Sequence, residues 1–167
     1  ADIICRTYAN SFKMKIIVTR FVNIYGPGDV NWDRIIPGTI KYLIQNQKPI
    51  LRSNGNFIRD YIYIDDVISG NIVLSKKMLS NTRTINGRAM NFGSNKPIKA
   101  ITLVKKILKI YNKNSNFFII KNKVNNEIKD QYSDYKLAKK LIGWKPIIDL
   151  ETGLKKTISW YNKNIRK

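Results

Sequence analysis

The chain has 167 residues and sets 31 lysines and arginines against 11 acidic residues, a formal charge of +20, with no histidine. That length suffices for one hydrophobic core or for a piece of a larger domain. A single cysteine, Cys5, excludes an internal disulfide framework, suits a reducing cytosol and, with histidine absent, leaves no ligand set for an ordinary zinc site.

No apolar run reaches the roughly 18 residues of a membrane span. The N-terminal Ala-Asp-Ile-Ile-Cys-Arg also lacks the pattern of a secretory signal, so the expectation is a cytoplasmic protein with no membrane partner. The charge itself invites a nucleic-acid reading. However, Lys, Asn and Ile fill 70 of the 167 positions, a bias that AT-rich codons produce. The lysines are scattered from Lys13 to Lys167, without the interleaved aromatic residues of a stacking platform.

Taken in chain order, Ile4, Tyr8 and Phe12 recur every four residues and predict an opening helix. Lys15 to Thr19 reads as a strand whose Ile16-Ile17-Val18 is a continuous apolar run of the kind buried in parallel sheets, stopped by Gly26-Pro27-Gly28. As a central strand without its neighbours it would expose two hydrophobic edges, so the isolated chain is expected to be poorly soluble or partly unfolded above physiological temperature. A helix is predicted from Arg34 to Gln47, with Ile36, Ile40, Leu43 and Ile44 inward and Pro37 in its first turn.

Pro49 to Arg52 reads as extended, and Phe57 to Ile64 as a strand. Asp65 and Asp66 predict an N-cap and first-turn carboxylate for a helix carrying Val67, Ile68, Ile72 and Leu79. Ser80 to Arg88 is polar, Ala89 to Phe92 a strand closed by Gly93, Thr102 to Tyr111 a helix, and Phe117 to Ile120 an apolar strand. Lys121 to Gln131 reads as an exposed loop. A helix from Asp134 to Ile142 stops at Gly143, and a last helix from Asp149 to about Ile165 carries the stripe Leu150, Leu154, Ile158, Tyr161, Ile165. The alternation of strand and helix argues an α/β fold.

Five blocks then carry a resemblance. Thr19-Arg-Phe-Val-Asn-Ile-Tyr-Gly-Pro-Gly-Asp29, Arg59-Asp-Tyr-Ile-Tyr-Ile-Asp-Asp-Val67, Met90-Asn-Phe-Gly93, Lys140-Leu-Ile-Gly-Trp-Lys-Pro146 and Gly153-Leu-Lys-Lys-Thr-Ile-Ser-Trp-Tyr161 resemble the extended short-chain dehydrogenase/reductases that act on nucleotide sugars, in that family's order. Gly28 to Gly38 and Glu127 to Tyr132 look most like CDP-glucose 4,6-dehydratase.

The resemblance implies the C-terminal part of a Rossmann-like parallel sheet plus a small mixed α/β substrate-binding domain. It divides as 1–30, the last Rossmann part, and 31–167, the sugar-nucleotide part, with 57–80 packing back on the former. It implies a lyase of deoxysugar and lipopolysaccharide biosynthesis, with NAD as cofactor, a nucleotide-diphosphate sugar as substrate and a homodimer for the full-length enzyme. The family's Gly-x-x-Gly-x-x-Gly turn is not in this sequence, and no Tyr-x-x-x-Lys pair precedes the strand at Lys15. Tyr132 and Lys136 have that spacing in the wrong part of the chain. The chain is therefore expected to be the back half of an enzyme, to contribute no catalytic residue and to be inactive alone.

The same resemblance nominates the binding residues. Asn23, with Ile24 beside it, is placed at the sugar diphosphate and nicotinamide end of the cofactor; the alternative is that it orders the Tyr-Gly-Pro turn. Arg59 is placed on the diphosphate, where a planar fork suits a phosphoryl group; the alternative is an ion pair with Asp60 or Asp66. Arg34 is placed near the substrate. Asn91, Gln131 and Tyr132 are placed on the nucleotide, and Leu51 and Arg52 on its pocket. Asp65 and Asp66 are read as helix-capping residues rather than a catalytic carboxylate pair. Two readings compete with the dehydratase: a 4-epimerase or dTDP-glucose 4,6-dehydratase fragment on the same framework, and a basic domain that binds a nucleotide or nucleic acid.

Overall fold

Two separate apolar cores organise the chain, and each gathers segments that are distant in sequence. The computed structural model describes residues 2–121 and 127–165. In chain order the elements are α1 (Asp2–Ser11), β1 (Val18–Phe21), β2 (Asn23–Tyr25), α2 (Ile35–Ile44), β3 (Ile50–Leu51), β4 (Ile58–Arg59), β5 (Tyr61–Tyr63), α3 (Ile64–Ser80), β6 (Ala89–Phe92), β7 (Ile98–Lys99), α4 (Ala100–Ile110), β8 (Ile119–Ile120), β9 (Asp130–Gln131), α5 (Lys136–Ile142) and α6 (Leu150–Asn164). Among these the pairs β1–β6, β2–β5 and β3–β8 are parallel, while β4 lies between antiparallel β7 and parallel β9.

The first core joins α2, α4 and α6 to the strands β2, β3 and β5. Ile40, Leu103, Ile107, Leu154 and Tyr161 are all wholly buried in it. Burying each such side chain stabilises by about 1.5–3 kcal/mol. The expected inward face of α2 is buried in full, at Ile36, Ile40, Leu43 and Ile44, and Pro37 falls in the first turn, where the missing N–H costs nothing. The stripe of α6 packs as its spacing requires. Asp149 caps that helix by accepting the Thr152 N–H at 3.0 Å.

The second core joins β1, β6, α3 and α5 through Met90, Phe92, Val67, Leu74, Ala138 and Trp144. Phe92 stacks on Phe21 with centroids 4.9 Å apart and meets the edge of Trp144 at 4.8 Å. Gly143 takes φ 71° at the end of α5 as the C-terminal stop predicts. Ile85, inside the segment read as polar, is wholly buried here.

Several sequence expectations are corrected. The opening strand begins at Val18 rather than Lys15, and β6 covers one of its edges, leaving one edge without a strand among the described residues. Of the expected apolar row on α3 only Val67 is buried. The helix turns Val67, Gly70 and Leu74 inward, so Ile68, Ile72 and Leu79 face out; the opening helix forms as expected in α1, with Ile4, Tyr8 and, just past it, Phe12 exposed. The strand expected over Phe57–Ile64 breaks at Asp60 into β4 and β5, and its last residue already belongs to α3.

The apolar strand expected over Phe117–Ile120 is reduced to the two residues of β8, and both are exposed. The expected loop at Lys121–Gln131 contains β9, although 122–126 lies outside the described residues. Asp65 and Asp66 both lie in the first turn of α3 as expected, but neither is its N-cap, which is Tyr63. Buried Asp66 instead accepts the backbone N–H groups of Ile147 and Ile148 at 2.9 and 3.0 Å, tying the segment before α6 to the start of α3. None of the described helices is long and apolar enough to cross a membrane.

Candidate functional site

A cavity of about 700 Å³ lies beyond the carboxyl end of β1, where α2, β3 and β4 converge. That volume is within the ordinary range for small-molecule sites, and the end of a parallel strand is where α/β sheets bind ligands. Asn23, the first residue of β2, and Arg59, the last of β4, both line it. The two residues that the resemblance places at a diphosphate thus share one cleft. The Asn23 amide donates to the Asp60 carbonyl at 3.0 Å, which orients its carbonyl oxygen while leaving the residue exposed to the cavity. Asp60 itself is fully buried and accepts from the backbone N–H groups of Ser94 and Asn95. It thereby fixes the backbone between Arg59 and Tyr61.

Arg59 is almost buried, and its charge is satisfied from within the chain. Nη1 donates to the carbonyls of Ile58 and Lys129, and Nη2 to the Glu127 carboxylate at 2.5 Å and the Ile128 carbonyl at 2.7 Å. Its carboxylate partner is thus Glu127, neither Asp60 nor Asp66. Of the five N–H donors of a guanidinium, four are engaged, leaving Nε–H. A bidentate grip on an incoming phosphoryl group requires one of these partners to yield. The Phe57 ring lies 5.6 Å from the guanidinium carbon and supports it from one side.

The other two arginines of the cavity also face carboxylates. Arg34, the residue before α2, pairs with Asp29 at 3.0 Å, which offsets the unfavourable positive charge at a helix start. Arg52, just past β3, pairs with Asp33 at 2.5 Å at the exposed mouth. Leu51 is buried in the wall, and Lys121 adds a fourth cation to the lining. Four cationic side chains against two carboxylates, Asp33 and Glu127, leave the lining net positive. Burial pushes the Tyr61 phenol up to about 12, the Arg59 charge acting against it, so the ring presents a neutral hydroxyl to the cavity at neutral pH.

A second cavity of about 360 Å³ adjoins the first, sharing Asn23, Arg34, Ile35 and Tyr61 and adding Ile24, Tyr25 and Asp29. Asn91, Gln131 and Tyr132, nominated for the nucleotide, line neither cavity. Asn91 lies half-buried opposite Arg20 on β6; Gln131 pairs its backbone with Arg59, and the Tyr132 side chain is exposed. Tyr132 and Lys136 lie away from both cavities. A second pair with the same spacing, Tyr135 and Lys139, is equally remote, Tyr135 packing edge-on against Trp144 at 5.8 Å. Sequence reasoning missed Asp33 and Glu127. Two signals could have flagged them: their rarity, as two of 11 acidic residues in so basic a chain, and their place inside the stretches Gly28 to Gly38 and Glu127 to Tyr132.

The sequence profile of the NAD dependent epimerase/dehydratase family matches residues 1–93, more than half of the chain. The chain belongs to that family. It is 30% identical over 168 residues to a UDP-glucuronate 4-epimerase of Thermodesulfobacterium geofontis, covering 99% of this chain and 49% of that protein. It is 29% identical over 167 residues to an Arabidopsis thaliana trifunctional UDP-glucose 4,6-dehydratase/UDP-4-keto-6-deoxy-D-glucose 3,5-epimerase/UDP-4-keto-L-rhamnose-reductase, covering 98% of this chain and 24% of that protein. The crystal structure of a Bacillus anthracis dTDP-glucose 4,6-dehydratase in complex with NAD superposes with a TM-score of 0.85 at 25% identity, over 98% of this chain and 50% of that one. The chain thus spans a quarter to a half of the length of these relatives.

The epimerase/dehydratase family is NAD dependent, and the described residues offer no cradle for the pyrophosphate of that cofactor. A pyrophosphate needs a glycine-rich turn at a helix N-terminus. Helices α2 to α6 open instead on Arg34, Tyr63, Lys99, Tyr135 and Asp149. No chemical step of the family's cofactor can be built from the described residues.

Proposed function

We propose that this chain supplies the sugar-nucleotide pocket of a nucleotide-sugar 4,6-dehydratase, with CDP-glucose as substrate and CDP-4-keto-6-deoxyglucose as product. The observation that carries the reading is the shared cleft of Asn23 and Arg59, with Arg34 and Arg52 around it. Its excess of positive charge suits a diphosphate, which bears two negative charges, and its apolar wall at Leu51, Trp32 and Phe57 suits a base. The sugar is placed at Asn23, next to the second cavity, and the diphosphate between Arg34 and Arg59, where Arg59 exchanges Glu127 for a phosphoryl oxygen.

The two cores divide the work. The core of β1, β6, α3 and α5 is assigned to the cofactor side, and the core of α2, α4 and α6 to the substrate side. On this reading the cofactor side takes in 62–92 and 135–144 as well as 1–30. Asn23 and Ile24 lie at the seam, where NAD would present its nicotinamide. The homodimer implied by the resemblance belongs to the full-length enzyme, and cytoplasmic residence accords with a soluble nucleotide-sugar substrate.

The test is the protein expressed from its whole reading frame, incubated with NAD+ and CDP-glucose, dTDP-glucose, UDP-glucose or UDP-glucuronate, the products being separated from their isomers by chromatography and weighed by mass spectrometry. Loss of one water from CDP-glucose supports the reading. An isomer of unchanged mass would instead favour a 4-epimerase, the activity of the relative from Thermodesulfobacterium geofontis. No change in any substrate would refute both.

A further inference from the structure

The mouth of the larger cavity carries a pair with its own recognition chemistry. Arg52 follows β3, and Asp33 lies in the turn before α2, 19 residues away in sequence. Their side chains meet at 2.5 Å through one guanidinium nitrogen and one carboxylate oxygen, and both face solvent at the cavity rim. That contact uses one of five guanidinium N–H donors and one of two carboxylate oxygens, so the pair presents free donors on one side and a free acceptor on the other. Leu51, Trp32 and Tyr42 line the wall behind it. A flat ring lying on that wall turns its polar edge towards the pair.

We infer that Arg52 and Asp33 together read the cytosine edge of a nucleotide and select it against uracil and thymine. This rests on the nucleotide-sugar reading of the cavity. The donor and acceptor pattern decides between the pyrimidines. Cytosine offers an amino donor at N4 beside acceptors at N3 and O2, so Asp33 accepts from N4 while Arg52 donates to N3 and O2. A carboxylate accepting from N4 is an established pairing for this base. Uracil and thymine place the O4 acceptor against the Asp33 carboxylate and the N3–H donor against the guanidinium, so both contacts become repulsive. Arg52 also contributes its charge to any nucleotide diphosphate, whereas Asp33 repels the diphosphate and gains only from the amino group. The larger part of the base preference therefore resides in Asp33, and the smaller part in the Arg52 donor that meets N3.

The test titrates CDP, UDP, dTDP, ADP and GDP into the protein expressed from its whole reading frame, by calorimetry, for the natural sequence and for Asp33→Asn and Arg52→Lys. Asp33 is exposed, so its amide variant keeps the fold, which circular dichroism checks. The expected result is CDP tighter than UDP and dTDP by on the order of tenfold or more. Asp33→Asn, whose amide can donate or accept, brings that ratio towards one by weakening CDP and strengthening UDP. Arg52→Lys keeps the charge but loses the fork and weakens CDP more than UDP. Equal binding of the pyrimidine nucleotides, a preference for UDP or dTDP, purine nucleotides as tight as CDP, or a ratio unmoved by Asp33→Asn would each overturn the inference while leaving the nucleotide reading standing. Failure of all five to bind would overturn that reading, and this inference with it.

Discussion

Arg59 and Glu127 meet at 2.5 Å across 68 residues of chain, the arginine almost buried and the carboxylate at the cavity edge. The same guanidinium holds the carbonyls of Ile128 and Lys129, and so it fixes the segment that enters β9 as well as lining the cavity. One side chain therefore holds the wall together and, on the proposed reading, would also meet the ligand. Arg59→Lys keeps the charge but cannot reach four acceptors at once. We expect nucleotide-diphosphate affinity to fall roughly 10- to 100-fold and stability by about 1–3 kcal/mol. Calorimetric titration and urea denaturation measure the two effects. Faster amide exchange at Asp130 and Gln131 separates loss of the wall from loss of the ligand contact.

Asp66 acts as a clamp. Asp66→Asn replaces one acceptor oxygen with an amide donor that faces a backbone N–H, at Ile147 or Ile148. A loss of about 1–3 kcal/mol is expected, read from the shift in urea midpoint at constant slope. Limited proteolysis should open the chain between Trp144 and Asp149 first. An unchanged midpoint would show that the clamp contributes nothing.

Gly153 in α6 sits against two tyrosines. A β-carbon there would overlap the Tyr25 hydroxyl and lie 3.0 Å from Tyr63 Cδ2. Glycine to alanine within a helix ordinarily gains about 1 kcal/mol. Here Gly153→Ala should instead destabilise by about 1–3 kcal/mol, because the rings belong to a packed core that cannot yield freely. Combining it with Tyr25→Phe, which removes the overlapping oxygen, should cost less than the sum of the two changes.

Three phenols are pushed up to about 12: Tyr61 and Tyr111 mainly by burial, and Tyr161 by burial and then by the Asp29 carboxylate. Each folded-state value lies above the unfolded value near 10, so the folded chain holds more protons than the unfolded chain between those limits. This stabilising contribution is whole below about pH 10 and is lost as pH rises through about 12. Urea midpoints measured across this range should fall, and Tyr161→Phe should flatten the decline. A midpoint that stays level to pH 12 would contradict the burial of these hydroxyls.

Features governed by near neighbours could be read from the residues. The inward face of α2, the Asp149 cap, the Gly143 stop and the stripe of α6 all follow from spacings of one to four residues. The family blocks led to Asn23 and Arg59, which do meet at one cleft. On α3, however, two apolar rows compete. Periodicity marks the helix as amphipathic without telling which row meets Phe92 and Trp144, and the row of Val67 and Leu74 won.

Residue order alone was thus sufficient for the α/β pattern, the family and three of the four cations of the pocket, Lys121 being the one it did not nominate. The partners of those cations came only with the fold: Asp33 for Arg52, Asp29 for Arg34 and Glu127 for Arg59. The placement of Asn91 and Tyr132 away from the cavity came with it, as did the use of Asp66 as a clamp. The reason is physical. Periodicity and capping act over one helical turn, whereas an ion pair or a clamp depends on how segments 19 or 81 residues apart come together when the cores close.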